Sequence, residues 1–283
     1  MIHVIKMDLY RMFKCKYTYI VLAAAMLMML ASVFMAKQDV VYYQQTPSAL
    51  ETLKLSDNEV AWGIYIGHVS YEWCVEEEIS FPELVSSNLQ SHIILMFLVV
   101  FIVLFAGNET RTGFLKNIAC QVQHRWELVI GKLLSTAIFT AILLFAAVLA
   151  TMLGSLIFFG YVHMQDFGGF AVLLGVQLLL HIGYGSVVLL LVYLLQNAVA
   201  ALITGILIAA GILQVVDQIL LNIAPQFNKV ENFSIMNYLT SGNVGLVSMT
   251  CGSGEYLKAI VVALCALMIT AVLSSLILEK RDI

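Results

Sequence analysis

Gln177 and His181 stand four residues apart within a stretch, residues 167–216, that holds no charge. That spacing puts both side chains on one face of a helix. An amide and an imidazole so placed could line a path through an apolar bundle. A neutral histidine hydrogen-bonded to a neighbouring helix is the structural use of the same pair. His68 and Glu72 repeat the spacing and could both touch a metal, but a closed site needs a third and fourth ligand. Glu76, Glu77 and Glu78 form an acidic run without partner residues. Cys74 and Cys251 fall in the two segments expected on the oxidising side of a membrane, where a disulfide between them would staple those segments together. Cys15 and Cys120 are expected on the reducing side, and Cys265 lies inside the last apolar run.

Other chemistry is missing from the chain. There is no G-x-x-x-x-G-K-[ST] to cradle a nucleotide, no H-E-x-x-H, no C-x-x-C and no G-x-S-x-G. The expectation is a chain with no catalytic residues, no metal site and no nucleic-acid partner. Any ATP must be bound elsewhere.

The elements that hold these residues follow from composition. Of 283 residues, 61% are hydrophobic and 11% charged, with a mean hydropathy of +0.94. A soluble domain carries roughly 25% charged residues, so most of this chain must face lipid. The apolar runs are continuous and not alternating, which selects helices over a barrel. A span needs about 20 apolar residues. Charge-free runs cover residues 17–36, 84–108, 133–165, 167–216 and 259–278, and Gln196-Asn197 divides the fourth run in two. The reading is an all-α membrane protein with six spans, at residues 17–36, 91–107, 129–155, 168–195, 198–221 and 256–278, followed by a short tail at 279–283.

Lysine and arginine set the orientation. Ten of the fourteen fall at the N-terminus, between the second and third spans and at the C-terminus; Lys37, Lys54, Lys229 and Lys258 fall on the other side. Both termini are therefore expected in the cytoplasm, with the chain in the plasma membrane. Residues 37–90 form the longest outer segment. Nine acids against two lysines give it a net charge of −7, and Trp62, Tyr65 and Trp73 suit a small folded cap. Such a field attracts cations, although acids are also simply tolerated there. Residues 222–255 form a second outer segment, rich in turns and long enough to re-enter the membrane.

Two amphipathic basic stretches complete the organisation. In residues 1–16, Ile2, Ile5, Leu9, Met12 and Phe13 share a face, while His3, Lys6, Arg11 and Lys14 fall largely elsewhere, as in a helix lying in the membrane interface. Between spans two and three runs ETRTGFLKNIACQVQHRWELVIGKLL, residues 109–134. Phe114, Leu115, Ile118, Ala119, Val122 and Trp126 make an apolar stripe opposite Lys116, Asn117, Gln121, His124 and Arg125. A helix over residues 109–127 would lie beneath the membrane with its polar face open to a soluble partner. In the fifth span Ala201, Gly205 and Ala209 form a small-residue face suited to close packing, within one protomer or between two.

The second basic stretch, with the N-terminal helix and the six spans, resembles the membrane subunit of ABC-2-type transporters, in particular permeases of bacterial systems that export, or confer resistance to, antimicrobial peptides. The matching positions are Glu109, Gly113, Lys116, Asn117, Arg125, Gly131 and Lys132. The chain departs from the family pattern at residues 112–114, TGF, and 122–124, VQH. The resemblance implies a pair of permease subunits, identical or not, above two cytoplasmic P-loop ATPase subunits that hold ATP and Mg. It makes residues 109–127 the coupling helix, with Glu109, Arg111, Phe114, Lys116, Asn117, Arg125 and Trp126 at the ATPase contact. It also implies that spans two and five line the dimer seam. The cargo class is amphipathic: a peptide, an antibiotic or a lipid-like molecule. A second reading of the same elements is a membrane sensor or assembly protein that signals through its cytoplasmic helix without transport. A third, an intramembrane enzyme, would need polar groups paired at matching depth.

Overall fold

A computed structural model describes residues 2–56, 64–75, 79–112, 122, 124–223 and 234–280, with the side chains of 2, 110–112 and 220–223 outside that description. The described chain is helical, and its one β feature is an isolated bridge between Ser80 and His163. In chain order the helices are α1 (Ile2–Lys14), α2 (Lys16–Gln45), α3 (Pro47–Ser56), α4 (Tyr71–Val75), α5 (Phe81–Gln90) and α6 (Ile93–Thr112). Then follow α7 (Trp126–Gly154), extended by a π turn at Ser155–Phe159, α8 (Phe167–Leu195), α9 (Ala198–Ala209), α10 (Ile212–Ile223), a 3-10 turn at Ile235–Tyr238, α11 (Thr240–Leu246) and α12 (Ser253–Glu279).

Four helices are long and apolar enough to cross a membrane: α2, α7, α8 and α12. Two further pairs pass the same test together but are bent, α5 with α6 by 52° and α9 with α10 by 64°. The chain is thus an all-helical protein with four to six candidate spans.

Local chemistry accounts for the boundaries. The Asn197 side chain accepts from Val199 N at 2.9 Å and Ala200 N at 3.3 Å, capping α9. Gln196 just before it turns left-handed, with φ 54°, so the hairpin expected at Gln196-Asn197 is formed. Asp166 caps α8 in the same way through Gly169 N at 3.1 Å. The fifth expected span is not one helix over 198–221: it breaks at Ala210-Gly211, where Gly211 takes φ 81°. Likewise α2 does not stop at residue 36. Lys37 and Asp39 are compatible with helix, so it runs on to Gln45 and is about 45 Å long, against roughly 30 Å of hydrocarbon.

The bundle is built around α8, which touches α5, α6, α7, α9, α11 and α12. Its closest neighbour is α12: a Cβ on Gly183 would lie 3.1 Å from the Ala263 carbonyl oxygen, and Thr270 donates to Ser186 at 2.7 Å. On the other flank α2 packs along α7, and a polar lock fixes α5 between them. Ser32 of α2 donates to Asn88 Oδ1 at 2.7 Å, and Asn88 Nδ2 donates to Thr151 of α7 at 3.1 Å. Residues 81–90, expected as the end of an outer loop, are accordingly almost wholly buried.

Asn88→Leu removes both bonds of this lock and leaves Ser32 and Thr151 to repartner. A loss of about 1–3 kcal/mol is expected, read as a lower thermal unfolding midpoint of the purified protein in detergent.

Candidate functional site

Four charges meet where α1, α6 and α7 converge. Lys132, in the second turn of α7 and 2% exposed, donates from Nζ to Asp8 Oδ1 at 3.0 Å and to Glu109 Oε1 at 2.5 Å. Arg11 also donates to Glu109 Oε1 and lies 3.9 Å from Asp8 Oδ1. The ammonium of Lys132 stands 4.0 Å from the centre of the Phe105 ring. Two acids and two bases cancel, which is what makes their burial tolerable.

Backbone proximity makes the cluster reachable. A Cβ on Gly131 would stand 2.9 Å from Val4 Cγ1 and 3.5 Å from Asp8 Oδ2, so glycine lets α1 lie directly on α7. The face that α1 buries is Val4, Asp8 and Met12, with Arg11 beside it. This differs from the apolar face read from the sequence: Phe13 is exposed, and Ile5 and Leu9 are half-buried. A charge pair inside the bundle outcompetes an apolar stripe that has membrane available as a second solvent.

Glu109 and Arg111 therefore belong to the last turns of α6. Glu109 is buried in the cluster. Residues 113–121 and 123, with Phe114, Lys116 and Asn117, lie outside the described residues, as does the Arg111 side chain. The far root of that segment is fixed as well. Arg125 donates to the carbonyls of Leu278 at 3.2 Å and Glu279 at 3.3 Å, satisfying the end of α12. Trp126, partly exposed, opens α7.

Gln177 and His181 do share a face, at the centre of the bundle and fully buried. Gln177 Nε2 donates to the carbonyls of Val244 at 3.1 Å and Val247 at 3.2 Å, holding α11 against α8. His181 Nδ1 pairs with its own helix through Gln177 O at 2.7 Å. Gln177 Oε1 and His181 Nε2 have no hydrogen-bond partner among the described residues. Ala201, Gly205 and Ala209 are buried within the protomer, and a Cβ on Gly205 would stand 2.7 Å from Val99 of α6. Their close packing is used inside the chain, against α6.

The opposite end of the bundle carries a cavity of about 160 Å³ between the loop before α4, α5 and the loop after α11. His68, Glu72, Trp73, Glu83, Ser86 and Thr250 are among its lining residues. Trp73 Nε1 donates to Glu83 Oε2 at 3.1 Å. Behind it Tyr65 meets His68 edge-on at 5.5 Å between ring centres, and burial pushes the Tyr65 phenol up to about 12. His68 and Glu72 share the lining but form no metal cluster: no group of three or more His, Cys, Asp or Glu suited to a metal occurs among the described residues.

No disulfide joins Cys74 and Cys251. Cys74 Sγ points to Ser70 O at 3.7 Å inside its own helix, and Cys251 Sγ to Leu246 O at 3.4 Å inside its own loop. Burial pushes the Cys251 thiol up, away from the reactive thiolate. Glu76, Glu77 and Glu78 lie outside the described residues.

The sequence did carry a signal for the missed member of the ionic cluster, since Asp8 is the only acid in the first 38 residues. An acid in an otherwise basic amphipathic segment asks for a partner. Compared with models of known protein families and with curated proteins, the chain matches none.

Removing one member of the cluster leaves a buried charge unbalanced. Lys132→Met should cost about 3–5 kcal/mol, and Asp8→Asn combined with it should restore part of the loss, both read from thermal unfolding of the purified variants.

Proposed function

We propose that the chain is the membrane-embedded permease subunit of an ATP-driven exporter of amphipathic molecules, working as one of a pair. ATP and Mg belong to a separate cytoplasmic P-loop ATPase, and this chain supplies no catalytic residue. In this reading each bent pair counts as one span, giving six, and both termini lie on the cytoplasmic side of the plasma membrane. Cargo is an antimicrobial peptide, an antibiotic or a lipid-like molecule.

The observation that carries the reading is the way the basic segment between α6 and α7 is rooted. At one root Glu109 is tied to Lys132 and Arg11. At the other, Arg125 holds the end of α12. A push delivered to the intervening residues by a soluble partner is then passed to α1, α6, α7 and α12 together, not absorbed by one helix. That is the mechanical requirement for coupling closure of an ATPase to rearrangement of a membrane path. The sequence of that segment, with Lys116 and Asn117 opposite an apolar stripe, suits docking into a protein cleft.

Purification of the tagged chain in mild detergent from its native host, with mass spectrometry of what remains bound, tests the assignment. A stoichiometric P-loop ATPase is expected, and a sensor or assembly role would return a non-ATPase partner or none. Lys116→Glu should release that ATPase or uncouple its hydrolysis while leaving the unfolding midpoint of the chain unchanged. Arg125→Glu should lower the midpoint, because Arg125 holds α12.

A further inference from the structure

We propose that the outward face of α1 docks on the phosphate layer of an anionic phospholipid leaflet, with Lys6, Lys14 and Lys16 as the contacting charges. The contact requires only that α2 and α7 cross a membrane, and it does not depend on any transported cargo.

The ionic cluster decides which way α1 faces. It buries the row Val4, Asp8 and Met12. Successive residues turn by about 100° around a helix. Ile5, Leu9 and Phe13 therefore form an apolar flank about 100° from the buried row, and Lys6, Tyr10 and Lys14 a row about 200° from it. Ile5 and Leu9 are half-buried and Phe13 is exposed, while Lys6, Tyr10 and Lys14 are all exposed. An apolar flank beside a basic row is the cross-section of a helix seated in an interface, with acyl chains on one side and headgroups on the other.

Charge on this face has one sign. Asp8, the only acid in the first 38 residues, is buried and held by Lys132. Lys6, Lys14 and Lys16 form no ion pair among the described residues. Lys14 Nζ donates to the Tyr10 hydroxyl at 3.2 Å and stands 5.3 Å from the centre of that ring. An ammonium has three donors, so Lys14 keeps donors for phosphate oxygens. Ammonium groups with no acid among them fit a surface of many negative charges.

Neighbouring helices set the level of this face. On α2, Ile20, Leu27 and Phe34 are exposed at seven-residue steps, a lipid-facing line that begins four residues after Lys16. On α7, Ile130 and Leu134 are exposed on either side of Gly131, where Val4 packs. Both apolar surfaces begin where α1 lies, so its lysines stand at the headgroup boundary, with the exposed Tyr19 beside them. The elbow between α1 and α2 is fixed: Thr18 Oγ1 donates to Met12 O at 2.6 Å and the Tyr19 hydroxyl to Phe13 O at 2.9 Å. The face is therefore formed before any lipid arrives, which lowers the ordering cost of the contact.

Thermal unfolding of the purified full-length chain in neutral detergent with added phosphatidylglycerol tests the contact. Phosphatidylcholine at the same mole fraction is the zwitterionic control, and inorganic phosphate separates a lipid surface from a free anion. A rise of the midpoint with phosphatidylglycerol alone is expected. Lys6→Gln with Lys14→Gln and Lys16→Gln should remove most of that rise. It should leave the midpoint without lipid unchanged, because the three side chains are exposed and outside the ionic cluster. Lys37→Gln with Lys54→Gln, beyond the far end of the lipid-facing line on α2, should keep the full rise above its own lipid-free midpoint. Loss in the first variant and not in the second supports the contact. No rise in the unaltered chain, a rise that survives in the first variant, or an equal loss in the second overturns it. An equal rise with inorganic phosphate or with a polyglutamate peptide also overturns it, in favour of a free anion or a soluble acidic partner.

Discussion

Lys132 has to keep its charge inside a helical bundle, and much of the architecture at that end follows from the requirement. An isolated buried ammonium is prohibitively costly, so two carboxylates, Asp8 and Glu109, are brought to it from different helices. Arg11 then balances the second negative charge. Removing any one member strands another, so the four residues fix α1, α6 and α7 as a unit. The close approach at Gly131 is the geometric condition for that arrangement. It also turns an amphipathic N-terminal segment into a structural part of the bundle, with a second apolar face left toward the interface.

Elsewhere the bundle is specified by directional bonds. Between helices in lipid, apolar contact has little preference for one packing over another. Registers are fixed where a polar side chain finds one partner: Asn88 between Ser32 and Thr151, Thr270 with Ser186, Gln177 with the carbonyls of α11. The helix breaks obey the same rule. Carbonyls freed at a break cannot be left bare in an apolar setting. At the end of α9, Ala209 O is met by His92 Nδ1 at 2.9 Å, and one turn earlier the Tyr184 hydroxyl donates to Gly205 O at 2.6 Å, holding α9 to α8. Within α10, Asp217 accepts from Ser234 Oγ at 2.6 Å and Ile235 N at 3.0 Å, tying the start of the 3-10 turn to that helix. Polar residues that look like a transport path in the sequence are thus mostly occupied in holding bent helices together.

These two kinds of constraint divide the molecule into two ends. The basic end ties α1, α6 and α7 together by ions. The other end combines short helices and loops around a cavity. The bent pair α5–α6 connects them, because α5 walls the cavity and α6 ends in the ionic cluster.

Composition and hydrophobic run length by themselves determined that the chain is helical and membrane-embedded. Hydrocarbon admits few ways of satisfying a backbone, and uninterrupted apolar runs admit only one. The hairpin at Gln196-Asn197 was legible for a similar reason, since asparagine caps a helix wherever it sits. Glu109 and Lys132 were legible as a pattern but not as a pair: residues 23 apart are joined only once α6 and α7 fold back on each other, and Asp8 reaches them from still farther away. The breaks at Ser91-His92 and Ala210-Gly211, the burial of α5 and the inward use of Gly205 were likewise decided by tertiary structure, because each depends on a group from another helix to satisfy or exclude it. Cys74 and Cys251, which no disulfide joins, make the same point. Sequence says which side of a membrane two thiols share, but only the folded chain decides whether each finds a partner at home.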